Sequence, residues 1–141
     1  MNPRIEKAQL LRRGLQADGI VSAVSGALLL VVPGPIASLL GAGSPGLVAA
    51  VGASLVAFGV LVARNGWREA PQRGAAAVTV ALNVAWVIGS GVLIAAGPLS
   101  KTGNWAVALV ADVVLILAIV ESIGLRRLSA APDDLAGAAA R

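Results

Sequence analysis

The chain has no cysteine, no histidine and no tyrosine, and a single phenylalanine. Without cysteine there are no disulfides, no thiol catalysis, no thiolate metal sites and no lipid attachment through sulfur. Without histidine the chain lacks the usual zinc and haem ligand and the commonest general base. The catalytic vocabulary is reduced to carboxylates, Lys, Arg, Ser and Thr. No Gly-x-Ser-x-Gly elbow presents a nucleophile. Gly41-Ala42-Gly43 superficially resembles a phosphate loop, yet no Walker lysine follows and no βαβ unit surrounds it. The reading is therefore not an enzyme, with no cofactor and no metal. Charge is scarce as well: 13% of residues are charged, against 57% hydrophobic, with a mean hydropathy of +0.87. That balance is far from a soluble domain.

Four long apolar segments fill most of the 141 residues: 14–32, 47–63, 75–96 and 105–125. At about 1.5 Å per residue, each nearly matches a hydrocarbon layer about 30 Å thick. Backbone amides in lipid need internal partners, and the alternating strands of a β-barrel are absent, so helices are expected. The expected fold is all-α: a polytopic transmembrane four-helix bundle forming one domain over residues 1–128. Proline and glycine mark the breaks. Pro33-Gly34-Pro35 stops the first segment, Asn65-Gly66 ends the second, and Gly97-Pro98 closes the third. Residues 129–141, rich in alanine, read as a mobile cytoplasmic tail.

The cations are sided. Arg4, Lys7, Arg12 and Arg13 precede the first segment. Arg64, Arg68 and Arg73 separate the second and third, and Arg126, Arg127 and Arg141 follow the fourth. Lys101 alone lies on the other side. Short basic loops stay cytoplasmic, which predicts both termini inside a bacterial plasma membrane. The net charge of +4 is this topology signal, with contact to anionic lipid headgroups, and no nucleic-acid stripe accompanies it. Residues 1–32 also have a basic start and an apolar run, but they lack a clean cleavage site and read as a retained helix.

Polar residues inside the segments carry the remaining information, because a carboxylate in a bilayer is costly and faces a partner or a cavity. Asp18 and Glu121 each lie a few residues from arginines. They form a candidate cytoplasmic-side acidic pair, read as interfacial carboxylates paired with those arginines. Asn83, Trp86 and Asp112 form a candidate intramembrane cluster. Asn83, Trp86 and Ser90 share one face of the third segment, and counting from the segment ends sets Asp112 at similar depth. Two readings of Asp112 stay open: an interhelical hydrogen bond that holds helices together, or a protonatable or ligand-binding centre. Ser22 and Ser25 share the Asp18 face. Small residues at Ala49, Ala53 and Ala57, at Gly52 and Gly59, and at Ala81, Ala85 and Gly89 suit close helix packing or association of copies.

Three stretches carry a resemblance: Arg13 to Leu30 with its Leu-Gln-Ala-Asp-Gly-Ile-Val-Ser start, Leu82-Asn83-Val84-Ala85-Trp86, and Glu121 with Leu125-Arg126-Arg127. Together they resemble small bacterial four-helix integral membrane proteins with no assigned activity. The helix count, an acid in the first helix and a tryptophan in the third are also similar to small multidrug transporters; the loops here are longer and the residues around Asp18 differ. The function expected is an accessory or interaction protein that binds lipid or a small apolar ligand. The alternative is a homo-oligomeric small transporter or proton-coupled carrier using intramembrane carboxylates. Expected partners are membrane lipids and a second copy or another membrane protein.

Overall fold

A computed structural model describes the backbone of residues 3–129 and the side chains from Ala8 onward. Among these residues all regular structure is helical: α1 (Pro3–Val31), α2 (Pro33–Leu40), α3 (Pro45–Gly66), α4 (Arg73–Ala96) and α5 (Lys101–Ser129). Four of them, all but α2, are long and apolar enough to cross a membrane. Each extends past the apolar segment that announces it, because polar residues at the ends continue the helix. Residues 130–141, and with them nearly all of the expected tail, lie outside the described residues.

The short helix α2 falls where a plain loop was expected. Pro33 ends α1 but also occupies the first turn of α2, where its fixed φ suits a helix start. Gly41 ends α2 in the left-handed region at φ 71°. The α4–α5 loop then docks on this helix end. The Ser100 amide donates to the Leu40 carbonyl (2.9 Å) and its hydroxyl donates to the Leu39 carbonyl (2.8 Å). The same hydroxyl accepts from the Gly103 amide (2.9 Å), which caps α5.

Glycine sets the spacing between α1 and α3. A methyl group on Gly59 would come within 2.5 Å of the Ala23 nitrogen and of the Gly19 oxygen; one on Gly26 would come within 2.5 Å of the Gly52 oxygen. The backbones therefore touch at Gly19–Gly59 and Gly26–Gly52, seven residues apart on both helices. The packed stripe of α3 is glycine rather than alanine: Ala49 is half-buried, while Ala53 and Ala57 face outward. At such an approach only a hydrogen fits. Ala81, Ala85 and Gly89 of α4 are likewise exposed.

One end of the bundle is tied by polar contacts. Gln16 Nε2 and Arg12 Nε donate to the Gly66 carbonyl (3.0 and 3.5 Å). The Asn65 side chain clamps the α3–α4 loop by accepting from the Gln72 amide (2.8 Å) and donating to its carbonyl (3.3 Å). Arg73 donates to the Leu128 carbonyl. These contacts gather Arg12, Arg64, Arg73, Arg126 and Arg127 at one end, with Lys101 at the other. The tightest apolar core, Leu11, Leu15, Val62 and Ala76, sits at that arginine-rich end. Beyond it the outer faces are apolar, with Leu61, Val78 and Leu109 more than half exposed. Helix α4 packs chiefly against α5, with slight contact to α3, and buries Ala76, Thr79, Asn83 and Ser90.

Candidate functional site

Asp18 on α1, Asn83 on α4 and Glu121 on α5 meet inside the bundle. All three are buried, and Glu121 is 0% exposed. The Asn83 amide nitrogen donates to Asp18 Oδ2 (2.9 Å) and to Glu121 Oε2 (3.2 Å). Ser22, one turn beyond Asp18, donates to Asp18 Oδ1 (3.2 Å). The second Glu121 oxygen, Oε1, is buried without a protein partner. One neutral amide thus serves two carboxyls from different helices, and one carboxyl oxygen is left over.

Small residues make the space. A methyl group on Gly14 would meet Glu121 Cγ at 3.2 Å, and one on Gly124 would meet the Leu11 backbone at 2.8 Å. The α1–α5 approach at Gly14 and Gly124 brings the Glu121 carboxyl alongside α1. These two glycines were not singled out from the sequence. Their signal was present: Gly14 is one turn before Asp18, and Gly124 is one turn after Glu121.

The cluster is sealed. Two open surface hollows lie away from Asp18, Asn83 and Glu121. One lies against Gly19, Gly59, Arg64 and Trp67, the other against Val84, Leu115 and Arg126. By helical rise, Asn83 stands ten residues, or about 15 Å, from Arg73, and Asp18 is ten residues inside the Ala8–Val31 span. Arg13 and Arg126 lie five residues from Asp18 and Glu121 along their own helices, so the cluster is near the arginine-rich end, but it is buried between helices. The expected pairing of Asp18 and Glu121 with neighbouring arginines is corrected. Their partners are Asn83 and, for Asp18, Ser22, while Arg12 is turned to the Gly66 carbonyl.

The grouping of Asn83 with Trp86 and Asp112 is corrected as well. Asn83 is buried, but Trp86 is 38% exposed and Asp112 lies on the outer surface of α5. The register explains this. With Asn83 against Glu121, nine residues along α4 from Asn83 and nine back along α5 from Glu121 bring Val92 level with Asp112. Trp86 is six residues short of that level, about 9 Å away. Among the described residues no group of three or more Asp or Glu side chains could hold a metal ion.

No family model matches the chain, and neither a curated protein nor a solved structure does. The functional reading therefore rests on the chain's own geometry.

Proposed function

We propose that this chain is a small multi-pass membrane protein that works as a proton-coupled carrier, with Asp18 and Glu121 as its proton-holding pair. The observation that carries this reading is the meeting of two buried carboxyls on one amide in an apolar bundle. Ionisable groups inside a membrane are costly and mark relays and coupling sites. Two carboxyls that share a site in a poorly polarisable surrounding hold one proton between them, because two adjacent negative charges repel strongly there. The spare Glu121 oxygen gives that proton a place. Loss of the proton would leave two charges on one amide and drive α1, α4 and α5 apart. Helix α4, which touches little besides α5, is the helix free to respond. The chain would lie in a bacterial plasma membrane with both termini cytoplasmic, on the strength of the arginine-rich end.

The test is transport in proteoliposomes that contain a trapped pH-sensitive dye, offered a panel of small organic amines and acids. Substrate-dependent proton movement is expected, with loss in Asp18→Asn and in Glu121→Gln and retention in Asp112→Asn. Proton-linked uptake that persists in the Asp18→Asn/Glu121→Gln double variant would refute the assignment.

A second reading, an accessory protein that docks on another membrane protein, is favoured by the bare small-residue face of α4. Ala81 and Ala85 are exposed there, and a methyl group on Gly89 would meet nothing within 4 Å. Gly89→Leu should then abolish co-purification of that partner in mild detergent while leaving the folded chain intact.

A further inference from the structure

The outward face of α5 has a regular pattern. Trp105, Leu109, Ile116, Ile119 and Ile123 are exposed, at 71%, 68%, 61%, 51% and 42%, with Val110, Val113 and Leu115 beside them at 48%, 41% and 41%. Asp112 is exposed between Leu109 and Ile116. The positions 105, 109, 112, 116, 119 and 123 follow steps of four, three, four, three and four. This is the spacing found along the seams of helices paired in left-handed coils. Five of the six positions are large and apolar. The sixth is a carboxyl seven residues, or about 10 Å, from Trp105, within the apolar run. No side chain of the described chain hydrogen-bonds it, and α5 has no further helix outside it.

A carboxyl within a membrane-spanning apolar run is costly against hydrocarbon and almost always faces a partner or a cavity. Whatever covers the seam must bring a polar group to the same depth. A second copy of this chain, inserted with the same orientation, does so by symmetry. A two-fold axis along the membrane normal runs the two α5 helices parallel, and residues on the axis meet their own counterparts. Asp112 then faces Asp112, and one carboxyl donates its O–H to the other. A single polar residue in an otherwise apolar seam also fixes register and copy number.

We propose that the α5 seam is a homodimer interface, with the two Asp112 carboxyls paired at its centre. The proposal is independent of the carrier reading, which concerns the opposite side of α5.

The test uses the absence of native cysteine. Single Leu109→Cys and Ile116→Cys variants of the full chain, oxidised in native membranes, should form disulfide-linked dimers. Val24→Cys and Val60→Cys, on exposed faces of α1 and α3, should stay monomeric. In lipid vesicles, dye-labelled chains should show dimer-type energy transfer. Asp112→Leu should weaken the dimer roughly three- to twentyfold, the range spanned by measured interhelical hydrogen bonds, while Asp112→Asn should keep most of it. Equal cross-linking at all four positions, monomers only in dilute vesicles, or a Leu109→Cys cross-link to a different protein would each overturn the proposal. So would an Asp112→Leu dimer as tight as the parent.

Discussion

Replacing Asn83 with alanine removes the single group that serves both buried carboxyls, and the cost can be worked from the contacts. Two hydrogen bonds disappear, at 2.9 Å to Asp18 and 3.2 Å to Glu121. Interhelical side-chain bonds measured in membranes average about 0.6 kcal/mol and reach about 1.7, so two contribute about 1–3 kcal/mol. The orphaned acceptors add to this unequally. Asp18 keeps the Ser22 hydroxyl. Glu121 keeps no neutral donor, since its Oε1 is already unpartnered. An unsatisfied buried acceptor costs about 1–3 kcal/mol. Asn83→Ala should therefore destabilise the bundle by about 2–5 kcal/mol in a reversible denaturing-detergent titration followed by tryptophan fluorescence. Glu121→Leu in the Asn83→Ala background should cost much less than Glu121→Leu alone, because the group left stranded is gone. A loss below about 0.5 kcal/mol for Asn83→Ala, or additive costs in that cycle, would refute the bridging role.

The glycine contacts give a second pair of outcomes. Gly59→Ala places a methyl group against backbone on α1 and should cost about 1–3 kcal/mol, whereas Gly91→Ala meets nothing within 4 Å and should be neutral or mildly stabilising in the same titration. Asn65→Ala removes both bonds that clamp the α3–α4 loop and should cost about 1–3 kcal/mol, with faster proteolysis at Arg68 as a local readout. For topology, reporter fusions at Arg68 should read cytoplasmic and at Lys101 external; the opposite pattern would reverse the orientation proposed from the arginines.

The four long helices were legible because hydropathy and helix breakers are local signals. Pro33-Gly34-Pro35 marked the end of α1 correctly but concealed α2, since proline at a first turn starts a helix as readily as it ends one. The polar cluster was half legible. Asp18, Asn83 and Glu121 stood out as polar residues among apolar ones, but who meets whom depends on register between helices far apart in sequence. That register follows from backbone contacts at Gly14, Gly124, Gly19 and Gly59. Counting depth from the apolar segment ends placed Trp86 with Asp112. The helices begin earlier, at Arg73 and Lys101, and the packing aligns Asp112 with Val92 instead. Asp18 and Glu121 are near the arginine-rich end, as their spacing along the chain implies, but they face inward to Asn83 and not out to the arginines.

Cysteine proximity in the otherwise cysteine-free chain tests the central claim, that α1 and α5 bring Asp18 and Glu121 together inside the bundle. Asp18→Cys/Glu121→Cys and Trp86→Cys/Asp112→Cys double variants should be treated in membranes with a short thiol-specific cross-linker and scored within one chain by mass spectrometry. The account predicts efficient intramolecular linkage for the 18–121 pair and none for the 86–112 pair. Linkage of 86 to 112 with 18 and 121 left free would contradict it.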